Sequence, residues 1–187
     1  MKLKWQIFIF LVIGLITFCS CLGKSMKYDM PPNERAVNAA MARNSQTLAQ
    51  KYHSRPFGIT VAMPEGDIQY LALEFQICGP LSNQELRKIL IGAADDFLAD
   101  INSDSELCPY LKNHSLNIRE IGIVFFLIDS SGRGLRDPHT SIAEISKGEL
   151  EYDILIDTYD EELKRNIPQF KSKSRETYEE ALNILNS

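Results

Sequence analysis

Cysteine, histidine and tryptophan are scarce in this chain, at four, three and one in 187 residues. So few cysteines exclude a disulfide-dense mini-protein. Ten glycines and eight prolines are too few for a collagen-like or low-complexity polymer. A positive excess is missing too. Twenty Lys and Arg face 25 Asp and Glu, a net charge of −5, which excludes a strongly basic nucleic-acid binder. What remains, 44% hydrophobic and 24% charged, suits one globular domain with something attached to its front.

The front reads MKLKWQIFIFLVIGLITFCSCL. Lys2 and Lys4 make a short positive start, and Ile7 to Phe18 is an apolar run of signal-peptide length. Ser20 then precedes Cys21, an order that resembles the lipobox of bacterial lipoproteins. The resemblance implies cleavage before Cys21 and a thioether-linked diacylglycerol on it. Phe18 stands where that family prefers leucine, and Cys19 is a poorer acceptor because bulky Phe18 precedes it. Two other readings stay open. Lys4 and Lys24 bracket an uncharged stretch close to the ~20 residues that span a hydrocarbon core, and ordinary secretion needs no lipid. Loss of residues 1–20 removes two lysines and takes the net charge from −5 to −7. Acyl chains rather than electrostatics would then hold the body to a membrane.

The organisation expected is a signal over 1–20, a lipid-anchored tether over 21–33 and one domain over 34–187. Residues 34–52 predict a helix with a thin apolar stripe that Asn44 interrupts. Gly58–Met63 and Ile68–Cys78 predict a hairpin around Pro64–Asp67. Ser82 to Glu85 is a capping box with a Leu81–Leu86 staple, opening a helix whose stripe runs to Ile101. Ser103 to Glu106 offers a second box. Asn117–Asp129, apolar on both faces, predicts a central strand. Ser141–Ser146 and Glu149–Ile156 flank a Lys147-Gly148 hairpin turn. Asp157–Lys173, with Pro168 and mixed charges, reads as a loop or partly helical excursion, and Ser174 as the cap of a last helix. The fold expected is α+β, in the order α-β-β-α-β-β-β-α. Its antiparallel-dominated sheet has about five strands and its helices pack largely on one face.

Several segments resemble uncharacterised lipoproteins of obligate intracellular, chlamydia-type bacteria. They are Gly79 to Arg87, Asp96 to Asn102, Glu106 to Leu111, Asn117 to Ile123 and Glu176 to Leu182. These are caps, helix faces and strand edges, so the resemblance implies an exported lipoprotein with an α+β domain and transfers no active site.

Chemistry is thin. His53, His114 and His139 stand at no metal-ligand spacing, and no HExxH, paired CxxC, GxSxG or P-loop occurs. No metal, cofactor or catalytic residue is therefore expected. Asp129, Arg133, Arg136, Asp137 and His139 crowd one loop, which reads either as a polar-ligand site or as a solvated turn held by local aspartate bonds. Asp153, Asp157, Asp160, Glu161 and Glu162 form an acidic run without the ligand spacing of a calcium loop. Cys78 and Cys108 flank the capped helix, which at ~30 Å for about 20 residues holds them too far apart for a bridge. Both are expected as free, partly buried thiols.

The function expected is a membrane-anchored, non-enzymatic binding or adaptor module of the bacterial cell envelope, facing the periplasm or the exterior. Its expected partner is the membrane, through the N-terminal lipid anchor; an unknown protein partner stays open, and no nucleic acid is expected. An envelope hydrolase or transferase acting near Asp129–His139 is one alternative. A structural subunit docking through the 34–52 helix is another.

Overall fold

Strand-forming runs alternate with two capped helices, and the caps fix where the chain changes direction. The computed structural model describes residues 29–187, of which Pro32–Ser187 is one compact unit. The lipidation candidate Cys21, the signal over 1–20 and most of the tether lie outside the described residues.

The elements are α1 (Pro32–Lys51), β1 (Arg55–Ala62), β2 (Tyr70–Cys78), α2 (Asn83–Ser103), β3 (Ile121–Ile128), β4 (Ile142–Ser146), β5 (Glu149–Asp160), β6 (Arg165–Thr177) and α3 (Tyr178–Leu185). The six strands lie side by side in chain order. All neighbours are antiparallel except β2 and β3, which run parallel because α2 carries the chain back between them. The fold is thus α+β with a mostly antiparallel sheet, as its patterning predicts. Among the described residues the strand count is six rather than about five, and the order gains a strand, α-β-β-α-β-β-β-β-α.

One sheet face carries the core. Leu71, Leu73, Phe75 and Ile77 of β2, Ile121, Ile123, Phe125 and Leu127 of β3, Ala143 and Ile145 of β4, and Leu150 and Tyr152 of β5 are all buried. They join one cluster with Met41 and Leu48 of α1, Leu86, Leu90, Phe97 and Ile101 of α2, and Ala181 of α3. Period-2 burial on strands and the i, i+3, i+4 stripe on α2 are the two patterns that the sequence displays.

The Ser82 box forms: Ser82 Oγ accepts from the Glu85 amide at 3.3 Å, and Glu85 Oε2 accepts from the Ser82 amide at 2.7 Å. At Lys147-Gly148, φ values of 53° and 80° match the hairpin turn, which needs positive φ at both central residues.

Two local expectations are corrected, and a third gains its reason. Asn44 interrupts the apolar stripe of α1 without interrupting the helix. It is buried, its Nδ2 donates to Ala40 O at 3.0 Å and Asp100 Oδ2 at 2.6 Å, and it ties α1 to α2. Past α2 the cap is Asp104, whose Oδ1 accepts from the Glu106 and Leu107 amides, while Ser103 Oγ donates backward to Asp100 O. The last helix is capped by Thr177 with Glu180 rather than by Ser174.

Candidate functional site

The largest departure from the sequence pattern lies at Asp157–Lys173, which is the end of β5, a turn over 161–164 and most of β6 rather than a loop or partly helical excursion. β4 pairs with β5 only between Glu149 and Asp153. Beyond that point Ile154–Asp160 pairs with β6 alone, so the hairpin continues past the sheet as a two-stranded ribbon. Cross-strand partners share a face. Leu155/Phe170, Asp157/Pro168 and Tyr159/Asn166 line one side. Ile154/Lys171, Ile156/Gln169, Thr158/Ile167 and Asp160/Arg165 line the other. Asp160 builds the tip, its Oδ1 accepting from the Glu162 and Leu163 amides at 2.9 and 2.8 Å. Tyr159, Leu163 and Phe170 stand 51, 56 and 56% exposed on this arm.

The charged β3–β4 loop lies against the root of the ribbon. Asp129 Oδ1 accepts from Ser131 Oγ (2.6 Å), the Ser131 amide (2.8 Å) and the Arg133 amide (3.0 Å). These bonds, the Ser131 hydroxyl foremost, lower its carboxyl to about 2. Arg133 stays in the same turn, with Nε 2.9 Å from Ser131 Oγ and 3.4 Å from Asp129 Oδ2. Arg136 leaves it and grips Asp157 on β5, Nη1 donating to both carboxylate oxygens at 2.7 Å. The Asp137 amide donates to Leu155 O at 3.1 Å, and the His139 amide to Arg136 O at 3.0 Å. Buried Ser141 completes the brace: its Oγ donates to Leu135 O at 2.7 Å and accepts from the Leu155 amide at 2.8 Å. So the structure joins Asp129 to Arg133, and Arg136 and Asp137 to β5. It does not gather the five into one pocket. Arg136 works with Asp157, a residue outside the set that the sequence singled out.

The sheet face opposite the core carries a second polar group. Tyr70 reaches from β2 across Gly122 of β3, and its hydroxyl meets Ser146 Oγ on β4 at 3.1 Å. Beside it Glu144, Ser146, Lys147, Glu149, Glu151 and Arg175 line a concavity of about 360 Å³. Glu144 and Glu151 are direct cross-strand partners, an unfavourable like-charge placement that Arg175 offsets by bonding Glu151 at 2.7 Å. Desolvation, then Asp153 and Glu151, raises the Glu144 carboxyl; desolvation, then Glu151, raises Asp153. Glu151 is lowered, first by the Ser172 hydroxyl and then by Arg175. Glu144 and Asp153 therefore keep their protons to a higher pH than ordinary carboxyls do, and Glu151 loses its proton at a lower one.

The acidic run of the sequence is dispersed. Asp153 joins the open face, Asp157 takes Arg136, and Asp160 shapes the tip. No group of three or more His, Cys, Asp or Glu suited to a metal ion occurs among the described residues. Cys78 and Cys108 are free, at opposite ends of the β2–α2 unit. Cys78 is exposed rather than partly buried, whereas Cys108 is half-buried and its Sγ lies 3.4 Å from His114 O. The stripe of α1, offered by the sequence as a docking surface, is spent on the core: Val37, Ala40, Met41, Leu48 and Ala49 are all buried. No helix among the described residues is long and apolar enough to cross a membrane. No protein-family model, curated protein or solved structure matches this chain.

Proposed function

We propose that this chain is an exported lipoprotein of a bacterial cell envelope, related to the chlamydia-type lipoproteins that its segments resemble. Diacylglycerol on Cys21 holds it to a membrane through the tether over 21–33. The domain over 34–187 faces the periplasm or the exterior and works as a non-enzymatic adaptor for a protein partner. The observation that carries this reading is the ribbon, which presents Tyr159, Leu163 and Phe170 to solvent beyond the edge of β4. An apolar arm built this way covers no part of its own core, and apolar side chains grouped at such a surface mark an interaction site. The β3–β4 loop supports the same reading. Asp129 is spent on its own turn, while Arg136 grips Asp157 and so holds the root of the arm.

Two measurements in cells test it. A fatty-acid probe should label the wild-type chain and not Cys21→Ala; labelling of the variant at wild-type level refutes the anchor. A photo-crosslinking residue at Phe170 or Tyr159 should give a discrete envelope adduct that the same residue at exposed Lys88 of α2 does not. Equal adducts at all three positions, or none at the arm, refute the adaptor.

A further inference from the structure

Among the described residues, β6 is the outer strand of the sheet and β5 is its only neighbour. Among the described residues, no backbone bond reaches its outer row of N–H and C=O groups from another element. Such a row is a template for one more strand.

The two strands of the ribbon are segregated by charge. β5 carries Glu149, Glu151, Asp153, Asp157 and Asp160 and no cation. From Arg165 to Arg175, β6 carries Arg165, Lys171, Lys173 and Arg175 and no acid. Two of these cations are occupied: Arg175 pairs with Glu151 and Glu149, and Lys173 Nζ donates to Pro138 O at 3.0 Å. Arg165 and Lys171 are exposed and make no ion pair or side-chain hydrogen bond among the described residues. Arg165 stands opposite Asp160, yet the Asp160 carboxylate is turned to the tip amides. Both free cations lie on one face of the ribbon, six residues or about 20 Å apart, with Ile167 and Gln169 between them. The other face of the same strand offers Phe170 and Pro168.

We infer that β6 accepts an acidic, extended peptide segment of a partner protein as a seventh strand. This rests on the adaptor reading and names its surface and partner chemistry. A segment with two acidic residues about six apart and β-branched residues between them matches Arg165 and Lys171 in register. A second copy of this chain does not. β6 against β6 sets cations against cations, and β1, the other edge, carries Arg55, no acid and a register shift between Pro56 and Gly58. Pro168 lacks an N–H, and Arg165 and Lys171 repel basic strands and attract acidic ones. The same features that keep the edge from pairing at random therefore select its partner.

The test uses the full-length lipidated chain in phosphatidylcholine nanodiscs and fluorescence anisotropy of labelled peptides. The probe is Ser-Glu-Thr-Val-Thr-Ile-Thr-Glu-Ser. Controls are its Glu-to-Lys counterpart and two versions N-methylated on alternate amides, one in each phase. The acidic peptide should bind, and the lysine peptide about tenfold more weakly or less. The Arg165→Gln/Lys171→Gln variant should lose about tenfold, the combined effect of two cross-strand charge pairs. One methylated phase should lose binding and the other keep it. Absence of binding at about 1 mM, equal binding of the acidic and lysine peptides, or full binding of both methylated peptides overturns strand addition. Those failures with arm crosslinks intact refute this inference alone, whereas missing crosslinks refute the adaptor reading beneath it.

Discussion

Arg87 of α2 and Glu176 of β6 form the most enclosed ion pair among the described residues, with side chains 14 and 12% exposed. Arg87 Nε donates to both carboxylate oxygens, at 2.9 and 3.0 Å, and Tyr152 Oη donates to Oε1 at 2.7 Å. This triad joins the helix layer to the root of the ribbon. Arg87→Met keeps the apolar stem and removes the charge, leaving a carboxylate enclosed with only the Tyr152 hydroxyl. Breaking one side of such a pair costs about 3 kcal/mol, since the remaining charge stays out of water. In a domain of this size that lowers Tm by roughly 6–12 °C. Tyr152→Phe removes one charge-assisted bond and costs about 1.5–3 kcal/mol. The triple replacement Arg87→Met/Tyr152→Phe/Glu176→Leu should recover to within about 1 kcal/mol of wild type, because neither a buried charge nor the Tyr152 hydroxyl is left unpaired. Urea unfolding followed by circular dichroism measures all four proteins, with an unchanged slope as the sign that the folded state is intact. A loss below about 1 kcal/mol for Arg87→Met, or a triple variant no better than the single ones, refutes the reasoning.

Arg136→Ala should raise hydrogen exchange in the ribbon beyond Leu155 while leaving β2 and β3 protected, since a two-stranded hairpin is marginal without its brace; unchanged exchange refutes the brace. Glu144→Gln should be neutral to slightly stabilising at pH 7, by less than about 1 kcal/mol once solvent screening is allowed for. The sign follows from linkage. The Glu144 and Asp153 carboxyls are raised in the folded state, so folding takes up protons in that window. Their contribution is fully present below the unfolded carboxyl range and is lost as pH rises through the raised values. A flatter pH–stability profile for Glu144→Gln between about pH 4 and 7 checks it. Without reductant, both Cys78 and Cys108 should take up an alkylating reagent, Cys78 first because it is exposed; mass spectrometry showing neither modified refutes the unpaired assignment.

What the sequence displays of the fold follows from how burial writes itself into a pattern. α2 is amphipathic, and its first residues can be satisfied only by local side chains, so the Ser82–Glu85 box and the Leu86–Ile101 stripe are both plain in the letters. The α1 stripe looked thin because Ala40, Ser45 and Ala49 fill it. Small residues let α1 lie close to α2, and close approach leaves little hydrophobicity to see. Caps proved ambiguous wherever several short polar residues adjoin. Ser103 and Asp104, or Ser174 and Thr177, have equal chemistry, and only the tertiary course of the chain decides which one turns inward.

The ribbon was illegible for a different reason. Period-2 alternation arises when one face of a strand is buried and the other is wet. Past Asp153 neither face packs on a core, so Ile154, Leu155 and Ile156 fall on both sides, the period fades, and the strand reads as ending at Ile156. Pro168 then argues against a strand, although an edge is the one place in a sheet that tolerates it. The usable signal was pairwise: five acids on Glu149–Asp160 against four cations on Arg165–Arg175, separated by a turn that Asp160 initiates. The candidate loop failed as a pocket through the same blindness to partners. Asp129, Arg133, Arg136, Asp137 and His139 are close in sequence, but Arg136 is committed to Asp157, 21 positions on. Crowding of charged residues in a loop reports their number, whereas function depends on which of them the fold leaves unspent. Here those are Arg165 and Lys171, in a segment where the sequence pattern predicted no strand at all.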